Sequence, residues 1–192
     1  MYQYKTSFPV FAPIASEEAA AAPTYSEGAF LGEAMVVGMT PQFNSASLYG
    51  DDKSVANVTA FKQLDLSLQT TTLPLAAYTA MFGATHTKPV PASVKEKVSE
   101  KATDTAKYGG FGFITGGLSG NAEEYRLFWM PKVKFTPPVE TYNTNGESIS
   151  FGTPTVTGVG IADNTGEWRY REVYATLADA LEALKTKAQI AE

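Results

Sequence analysis

The chain has 192 residues, enough for one domain with a substantial core, and 44% of them are hydrophobic, as in an ordinary globular fold. Its formal net charge is −5 and only 18% of its residues are charged, so it lacks the clustered Lys and Arg of a nucleic-acid-binding surface. It has no cysteine and one histidine, His86, which excludes disulfides and thiolate metal sites and leaves a hydrolase triad almost nothing to use.

The amino terminus lacks the basic region and apolar run of a signal peptide, and no apolar stretch approaches the length of a membrane span. The sequence therefore predicts a protein made in a cytoplasm, without a membrane segment. We predict no enzymatic activity, no catalytic residues, no cofactor and no metal.

Residues 1–24 are predicted to form an extended N-terminal arm. The segment is too rich in proline to build its own core, and Phe8 and Phe11 are among its few apolar anchors. It is expected to dock on the domain body or on a neighbouring subunit. A frayed terminus is the alternative.

Residues 25–39 read as a first strand, weakened by glycines, and residues 40–57 follow as a long inter-strand loop. The loop carries apolar side chains that a solvated loop does not need. We interpret it as an adhesive loop that packs on a partner; the alternative is a loop folded back on its own domain. The candidate partner-contact residues of the loop and the arm are Pro41, Phe43, Leu48, Tyr49, Asp51, Asp52, Phe8 and Phe11.

The pair Asp51–Asp52, with Asn57 nearby, invites comparison with a Ca²⁺ site. Its spacing does not match an EF-hand loop, and adjacent carboxylates on a turn are commonly solvated. The prediction is a solvated turn.

Residues 58–72 alternate most clearly, with three leucines on one face and polar residues on the other: Leu64, Leu66, Leu68, Asp65, Ser67 and Gln69. Pro74 is placed to open a short helix and Gly83 to close it. The pattern predicts a strand with one buried face, followed by a helix packed on the sheet.

Residues 88–105 form a polar excursion, and residues 106–135 read as a β-hairpin whose turn is formed by Gly116-Gly117 and then Ser119-Gly120-Asn121. Pro131 is expected to interrupt its second strand. Asn145-Gly146 is a turn signal, and alternation resumes over residues 148–161.

Asp163-Asn164-Thr165-Gly166 is predicted to be a hairpin turn into a strand over residues 167–171. Thr176 then reads as an N-cap, with Asp179 in the capping-box position, for a helix over residues 176–188. The sequence predicts a mainly β fold, a β-sandwich or half-open barrel with a flanking α-helix. Its single domain spans residues 25–192.

Three groups of motifs, in this order, resemble one known family. The first is Gly28…Gly32-Glu33-Ala34 with Thr40-Pro41-Gln42-Phe43 and the run SLYGDD at 47–52; the second is FWMPKVKF at 128–135 with Pro138 and Glu140; the third is TNGESISFGTPTVTG at 144–158. Together they span roughly residues 25–161. The chain resembles the major tail protein, or tail tube protein, of long-tailed bacteriophages and prophages of Gram-positive bacteria. The polar residues 88–105 are a departure from the matched motifs.

The resemblance implies a tail-tube-protein-like β-sandwich or half-open barrel that forms stacked, hexameric rings. Such rings join their sheets into a continuous tube, the conduit for DNA ejection, through which DNA passes without specific binding. The implied partners are other copies of the chain and other tail proteins: the tape measure, tail terminator and distal tail proteins. The implied location is the virion tail, after synthesis in the host bacterial cytoplasm.

Two other function classes compete with this one. A β-sandwich carbohydrate- or peptide-binding module would use aromatic platforms such as Tyr49, Trp129 and Trp168, although core packing is favoured for Trp129 within its apolar run. An enzyme would need Asp51 and Asp52 as paired carboxylates, but neighbours in sequence on a turn are poorly placed to flank a bond.

Overall fold

The computed structural model describes residues 2–51, 53–87, 96–138 and 152–190. It is mainly β, with two short helices. In chain order the elements are β1 Tyr2–Ser16, β2 Thr24–Tyr25, β3 Ala29–Phe30, β4 Ala34–Gly50, β5 Lys53–Thr70, α1 Leu75–Phe82, β6 Thr85–Thr87, β7 Lys97–Ser99, β8 Tyr108–Ser119, β9 Ala122–Thr136, β10 Thr155–Ile161, β11 Tyr170–Tyr174 and α2 Leu177–Lys187.

One antiparallel sheet holds most of the strands, in the order β2-β1-β8-β9-β10-β5-β4, with β3 also paired to β1 and β11 to β9. β6 and β7 form a separate pair, with His86 exposed on β6. Cα atoms of β1 and β4 approach within 8 Å although the two strands are far apart in the strand order, so the sheet curls. The predicted mainly β, sandwich- or barrel-like fold with a flanking helix is confirmed.

The centre of the sheet is buried on both faces because successive side chains of a strand point to opposite sides. On β1, Phe11 belongs to one core, called the first core below, which also holds the three leucines of β5 and the buried residues of α1. Its neighbours Val10 and Ala12 belong to a second core, which α2 covers with Ala180 and Leu184. The predicted leucine face of β5 is confirmed.

Both helices begin and end where the sequence indicates. Pro74 precedes the first residue of α1, and Gly83 closes it in the left-handed conformation at φ 74°. At α2, the Thr176 hydroxyl accepts a hydrogen bond from the Asp179 backbone N–H at 3.2 Å, as an N-cap does.

Pro131 does not interrupt the second strand of the predicted hairpin, which runs through it to Thr136. Between the pairs Phe111–Met130 and Gly109–Val133, β9 has one residue more than β8, so Pro131 and Lys132 lie at a β-bulge, where a missing N–H is tolerated. The bulge also shifts the alternation by one residue: Phe128 and Met130 enter the first core before it, Val133 and Phe135 after it. β9 pairs with β11 before the bulge and with β10 after it.

The 163–166 segment is a turn, but β10 and β11 do not form the predicted hairpin with each other. The Asp163 carboxylate accepts hydrogen bonds from the backbone N–H groups of Thr165 and Glu167, at 2.9 and 3.0 Å. After the turn the chain continues into β11, which pairs with residues 125–129 of β9, whereas β10 pairs with residues 132–136. Both strands find a partner on β9, which is long enough for two.

The N-terminal segment is built into the sheet. β1 pairs with β8 along most of its length, so of the two dockings considered for the predicted arm the structure adopts the one on the domain body. Pro9 fits because it lies at an irregularity of the pairing, next to Phe8 at φ 55°.

The predicted first strand over residues 25–39 is divided into β2, β3 and the start of β4. At Gly32 the backbone has φ +89°, which ends the pairing locally, and the Gly28 N–H donates to the Ala188 carbonyl at 2.9 Å instead of extending a strand. The predicted turn at Asn145-Gly146, the strand at 148–151 and Asp52 lie outside the described residues.

Candidate assembly surface

The feature that stands out from the domain is the outer part of the β4–β5 hairpin, residues 42–63, called the hairpin arm below. β10 pairs with β5 only over residues 64–69, so beyond Leu64 the two strands of the arm pair with each other alone. The pairing continues to Gly50–Lys53. The prediction of a long loop over residues 40–57 is therefore wrong: this stretch is a strand, a turn and the start of the next strand.

One side of the hairpin arm is apolar. The directly opposed pairs Ala46–Val58 and Leu48–Ala56 face this side, with Asn44–Ala60 at its inner end. All of these residues are exposed; Leu48 is 64% and Val58 66% accessible. Small and aliphatic side chains thus cover this side of the ribbon, and in the described parts of the chain they remain exposed.

The other side of the hairpin arm has a hydrogen-bonded polar middle between two exposed aromatic residues, Phe43 and Tyr49. The Asn57 amide donates to the Ser47 hydroxyl at 3.3 Å, and the Thr59 hydroxyl donates to the Asn57 carbonyl at 3.4 Å. Ser45 lies opposite Thr59 in the same register. The two sides therefore suit different partners: the first offers only small and aliphatic surface along its middle, and the second offers hydrogen-bonding groups between Phe43 and Tyr49.

Charged residues are confined to the two ends of the arm: Asp51, Asp52, Lys53 and Lys62. Natural proteins commonly protect exposed strands by placing charges on them, and an isolated two-stranded hairpin is marginal in water. An arm that has an apolar side without such protection is typical of a contact surface.

The inner end of the arm is fixed to the domain by aromatic and polar contacts. Phe61 stacks on Trp168 with ring centroids 4.6 Å apart at 13°, and Phe43 meets Phe61 edge-on at 6.0 Å. The side-chain amides of Gln42 and Gln63 donate to the two oxygens of Asp65 at 2.9 and 2.6 Å. These contacts hold the direction in which the arm projects.

The predicted interface residues fall into two groups. Phe43 (53% accessible), Leu48 and Tyr49 (71%) are exposed on the arm and Asp51 is exposed at its turn, whereas Pro41 is half-buried where the arm joins the sheet. Phe8 is half-buried, 6.5 Å from the Phe30 ring. Phe11 is fully buried, so its expected role in a subunit contact is wrong: the pairing of β1 with β8 turns it into the first core.

The alanines at positions 46, 56 and 60 and Val58 are surface residues that the sequence reasoning missed. The signal was present, because alternation across Ala46 and Leu48 places them on one face once a strand is assumed. The three aromatic residues that a binding module would use as platforms have different exposures. Trp129 is buried, as favoured, Trp168 is half-buried against Phe61, and Tyr49 remains exposed.

Two sheet edges are open in the described part of the chain. β4 pairs only with β5, which leaves its other edge without a strand. On the edge of β1 away from β8, β3 pairs at residues 10–11, the Pro9 carbonyl accepts from the Leu31 N–H at 2.8 Å and β2 pairs at 14–16, so residues 2–8 have no strand beside them. An open edge presents backbone donors and acceptors that a strand of another chain can pair with.

A separate groove of about 580 Å³ lies between β2, β11 and the end of α2. Tyr25 and Tyr170 form part of its wall, and an ion pair between Glu172 and Lys187, 3.0 Å long, crosses its rim. Desolvation raises the pKa of Glu172, but hydrogen bonds from Tyr174 and Lys187 outweigh it, and the net pKa is lowered. Burial raises the pKa of Tyr25 to about 12, which keeps its hydroxyl protonated.

Within residues 2–51, 53–87, 96–138 and 152–190, no group of three or more His, Cys, Asp or Glu side chains is arranged to hold a metal ion. Over the same residues, no helix has the length and apolar character needed to cross a membrane. No protein-family model matches the chain, and a search of curated proteins finds no matching relative.

Proposed function

We propose that this chain is a structural virion protein: a subunit that self-assembles into stacked, hexameric rings that form a phage tail tube. The observation that carries the proposal is the apolar side of the hairpin arm, which projects from the domain and is left exposed by the parts of its own chain that the structure describes. The motif resemblance from Gly28 to Gly158 gives the assembly its class. The proposal includes no catalysis, cofactor or metal.

The arm supplies a driving force of the right size for reversible assembly. Fully burying a Leu or Val side chain stabilises by about 1.5–3 kcal/mol. Leu48 and Val58 are about two-thirds exposed, so covering both on a neighbouring copy contributes roughly 2–4 kcal/mol per arm. One such contact is weak, but a ring of six copies repeats it, and the combined contacts hold the stack.

The open edges of β4 and β1 support the closing of a ring. When a strand of one copy pairs with an edge of the next, the contact joins two different surfaces, and such head-to-tail contacts close into rings. Stacking through the arm then propagates the rings into a tube. The net charge of −5 suits a conduit along which DNA slides without specific binding, since cationic contacts would hold the phosphates.

The test is assembly of the purified chain, followed by negative-stain electron microscopy and sedimentation over a concentration series. We expect rings or hollow tubes above a critical concentration, and we expect Leu48→Ser combined with Val58→Ser to raise that concentration roughly 30- to 700-fold, since each 1.4 kcal/mol of the lost 2–4 kcal/mol is a factor of ten. The matched control exchanges the opposed pair on the polar side, Ser45→Thr with Thr59→Ser, and should assemble like the wild type. Uniform small particles at every concentration would refute self-assembly of the chain.

The groove beside α2 supports a second candidate, a carbohydrate- or peptide-binding module. Aromatic walls with a fixed carboxylate and ammonium are the kind of surface that orients a small polar ligand. A chain that remains monomeric at every concentration and binds a neutral oligosaccharide or a short peptide in saturable fashion, by calorimetry, would favour this candidate. Tubes without such binding would exclude it.

A further inference from the structure

The three arginines of the chain come together on one face, although they lie on two segments. Arg126 of β9 is directly opposite Val173 of β11, and Arg171 is opposite Phe128 in the same pairing, so Arg126 and Arg171 point to the same side of the sheet. Arg169 precedes β11 by one residue. In a chain with net charge −5, this arginine cluster (Arg126, Arg169 and Arg171) is a concentration of positive charge.

Two of these arginines are held by aromatic rings and not by carboxylates. The Arg169 guanidinium lies 4.4 Å from the Trp168 ring centre, and that of Arg171 lies 5.4 Å from the Phe128 ring centre. In the described parts of the chain no ion pair within 4.0 Å joins any of the three arginines to an acidic group, including Glu124, which lies two residues from Arg126 on the same face. Stacked guanidinium groups keep their donors free for an anion.

The charges in the cluster act on one another. Two effects lower the pKa of Arg169: the larger is desolvation by burial, and the smaller is the positive charge of Arg171. An anion placed against both groups would remove this repulsion. Arginine prefers carboxylates and phosphates, which it binds through two parallel hydrogen bonds.

The cluster is adjacent to the base of the hairpin arm. Trp168, on which Arg169 lies, is itself stacked on Phe61 of the arm. The opposite end of the arm carries Asp51, exposed at the turn at φ 49°, and Asp52 follows it in the sequence. From Phe43 to Gly50 the strand advances by seven residues, about 23 Å at ~3.3 Å per residue.

We propose that the arginine cluster of one copy is the receptor for the acidic tip of the hairpin arm of the next copy. The idea rests on the proposed function and names the partner of the arm: a second copy, shifted by roughly the 23 Å length of the arm. A cation at the base of an arm and a carboxylate at its tip form a head-to-tail contact, which repeats along a filament without a second kind of partner. Charge complementarity within the chain favours this occupant over nucleic acid, which the net charge repels.

The test is charge reversal at each end of the contact and then at both. Arg169→Glu with Arg171→Glu, and separately Asp51→Lys with Asp52→Lys, should each raise the critical concentration for assembly at least tenfold, while the four substitutions combined should restore it to within about threefold of the wild type. Lys101→Glu with Lys107→Glu, two exposed lysines away from the cluster, changes the net charge equally and is the control. Thermal unfolding by circular dichroism confirms that each variant is folded.

Each outcome identifies which proposal fails. If the wild type forms no polymer at any concentration, both the tube and the arginine contact are refuted. If the wild type assembles and the reversed-arginine variant keeps its critical concentration, only the arginine contact is refuted. If that variant assembles normally but loses binding of a short DNA duplex in a mobility-shift assay, the cluster binds phosphates and the proposed receptor is wrong.

Discussion

Removing the outer part of the hairpin arm should leave the domain folded and abolish assembly. The cut follows the pairing: Phe43 and Phe61 are directly opposite, so residues 44–60 can be replaced by Asn-Gly, a dipeptide that favours a tight two-residue hairpin turn. This deletion keeps the Phe61–Trp168 stack and the hydrogen bonds of Gln42 and Gln63 to Asp65. It removes the whole apolar side and the acidic tip.

The expected cost to stability is small. No residue of the deleted segment belongs to either core, and the side chains that the structure describes there are exposed. We therefore expect the free energy of unfolding to change by no more than about 1 kcal/mol, which for a domain of this size corresponds to a Tm shift of roughly 2–4 °C. Assembly should be lost completely, because the deletion removes the apolar side and the acidic tip through which the proposed stacking contacts are made.

The assay is urea unfolding by tryptophan fluorescence, to obtain stability, with sedimentation velocity and negative-stain microscopy on the same samples. Trp129 and Trp168 lie on β9 and just before β11, so both report on parts that remain. A shortened chain that unfolds several kcal/mol more easily would mean that the arm supports the domain. Tubes of normal appearance from the shortened chain would mean that the arm has no part in assembly.

Three further substitutions test the fold itself. Leu66→Asp should leave the chain unable to fold cooperatively, because it buries an unpaired charge in the first core; a sharp thermal transition near that of the wild type would contradict the burial of β5. Gly112→Ala should destabilise by about 1–3 kcal/mol in urea unfolding, since its Cβ would lie 2.6 Å from Trp129 and 2.7 Å from Leu184, whereas Gly38→Ala, with its nearest neighbour at 3.5 Å, should be near neutral; equal effects would disprove this account. Glu172 has a lowered pKa, because hydrogen bonds from Tyr174 and Lys187 outweigh desolvation, which raises it; its contribution to stability is present above the ordinary value of 4.5 and is lost as the pH falls through the lowered pKa, so Glu172→Gln should lose stability at pH 7 and show a smaller decline between pH 5 and pH 3.

Local patterns were sufficient for several elements. The alternation of Leu64, Leu66 and Leu68 identified β5, and Thr176 with Asp179 identified the start of α2. Gly120, at φ 65°, marked the turn between β8 and β9. Each of these features is visible in residues at most four positions apart, so it can be recognised before the partner of the segment is known.

Pairing between distant segments was decided only by the tertiary structure. β1 pairs with β8, more than 90 residues later, and only this pairing shows that Phe11 is buried and that residues 2–16 are not an arm. Likewise β11 pairs with β9 and not with β10. The bulge at Pro131 divides β9 into two segments, and each segment has its own partner. Strand propensity depends on which neighbour is present, so a sequence can indicate a strand without indicating where it pairs.

The same distinction explains the assembly surface. From the sequence alone, residues 40–57 had the right character for a contact, with Phe43, Leu48 and Tyr49 in a stretch of small uncharged residues, but the wrong conformation. Residues 40–50 are β structure because they pair with residues 53–65, and only that register decides which side chains share one side of the arm. Composition thus determined that this stretch is adhesive, and the pairing of two strands determined which of its side chains are presented together, because a side chain acquires a face only when its backbone has a partner.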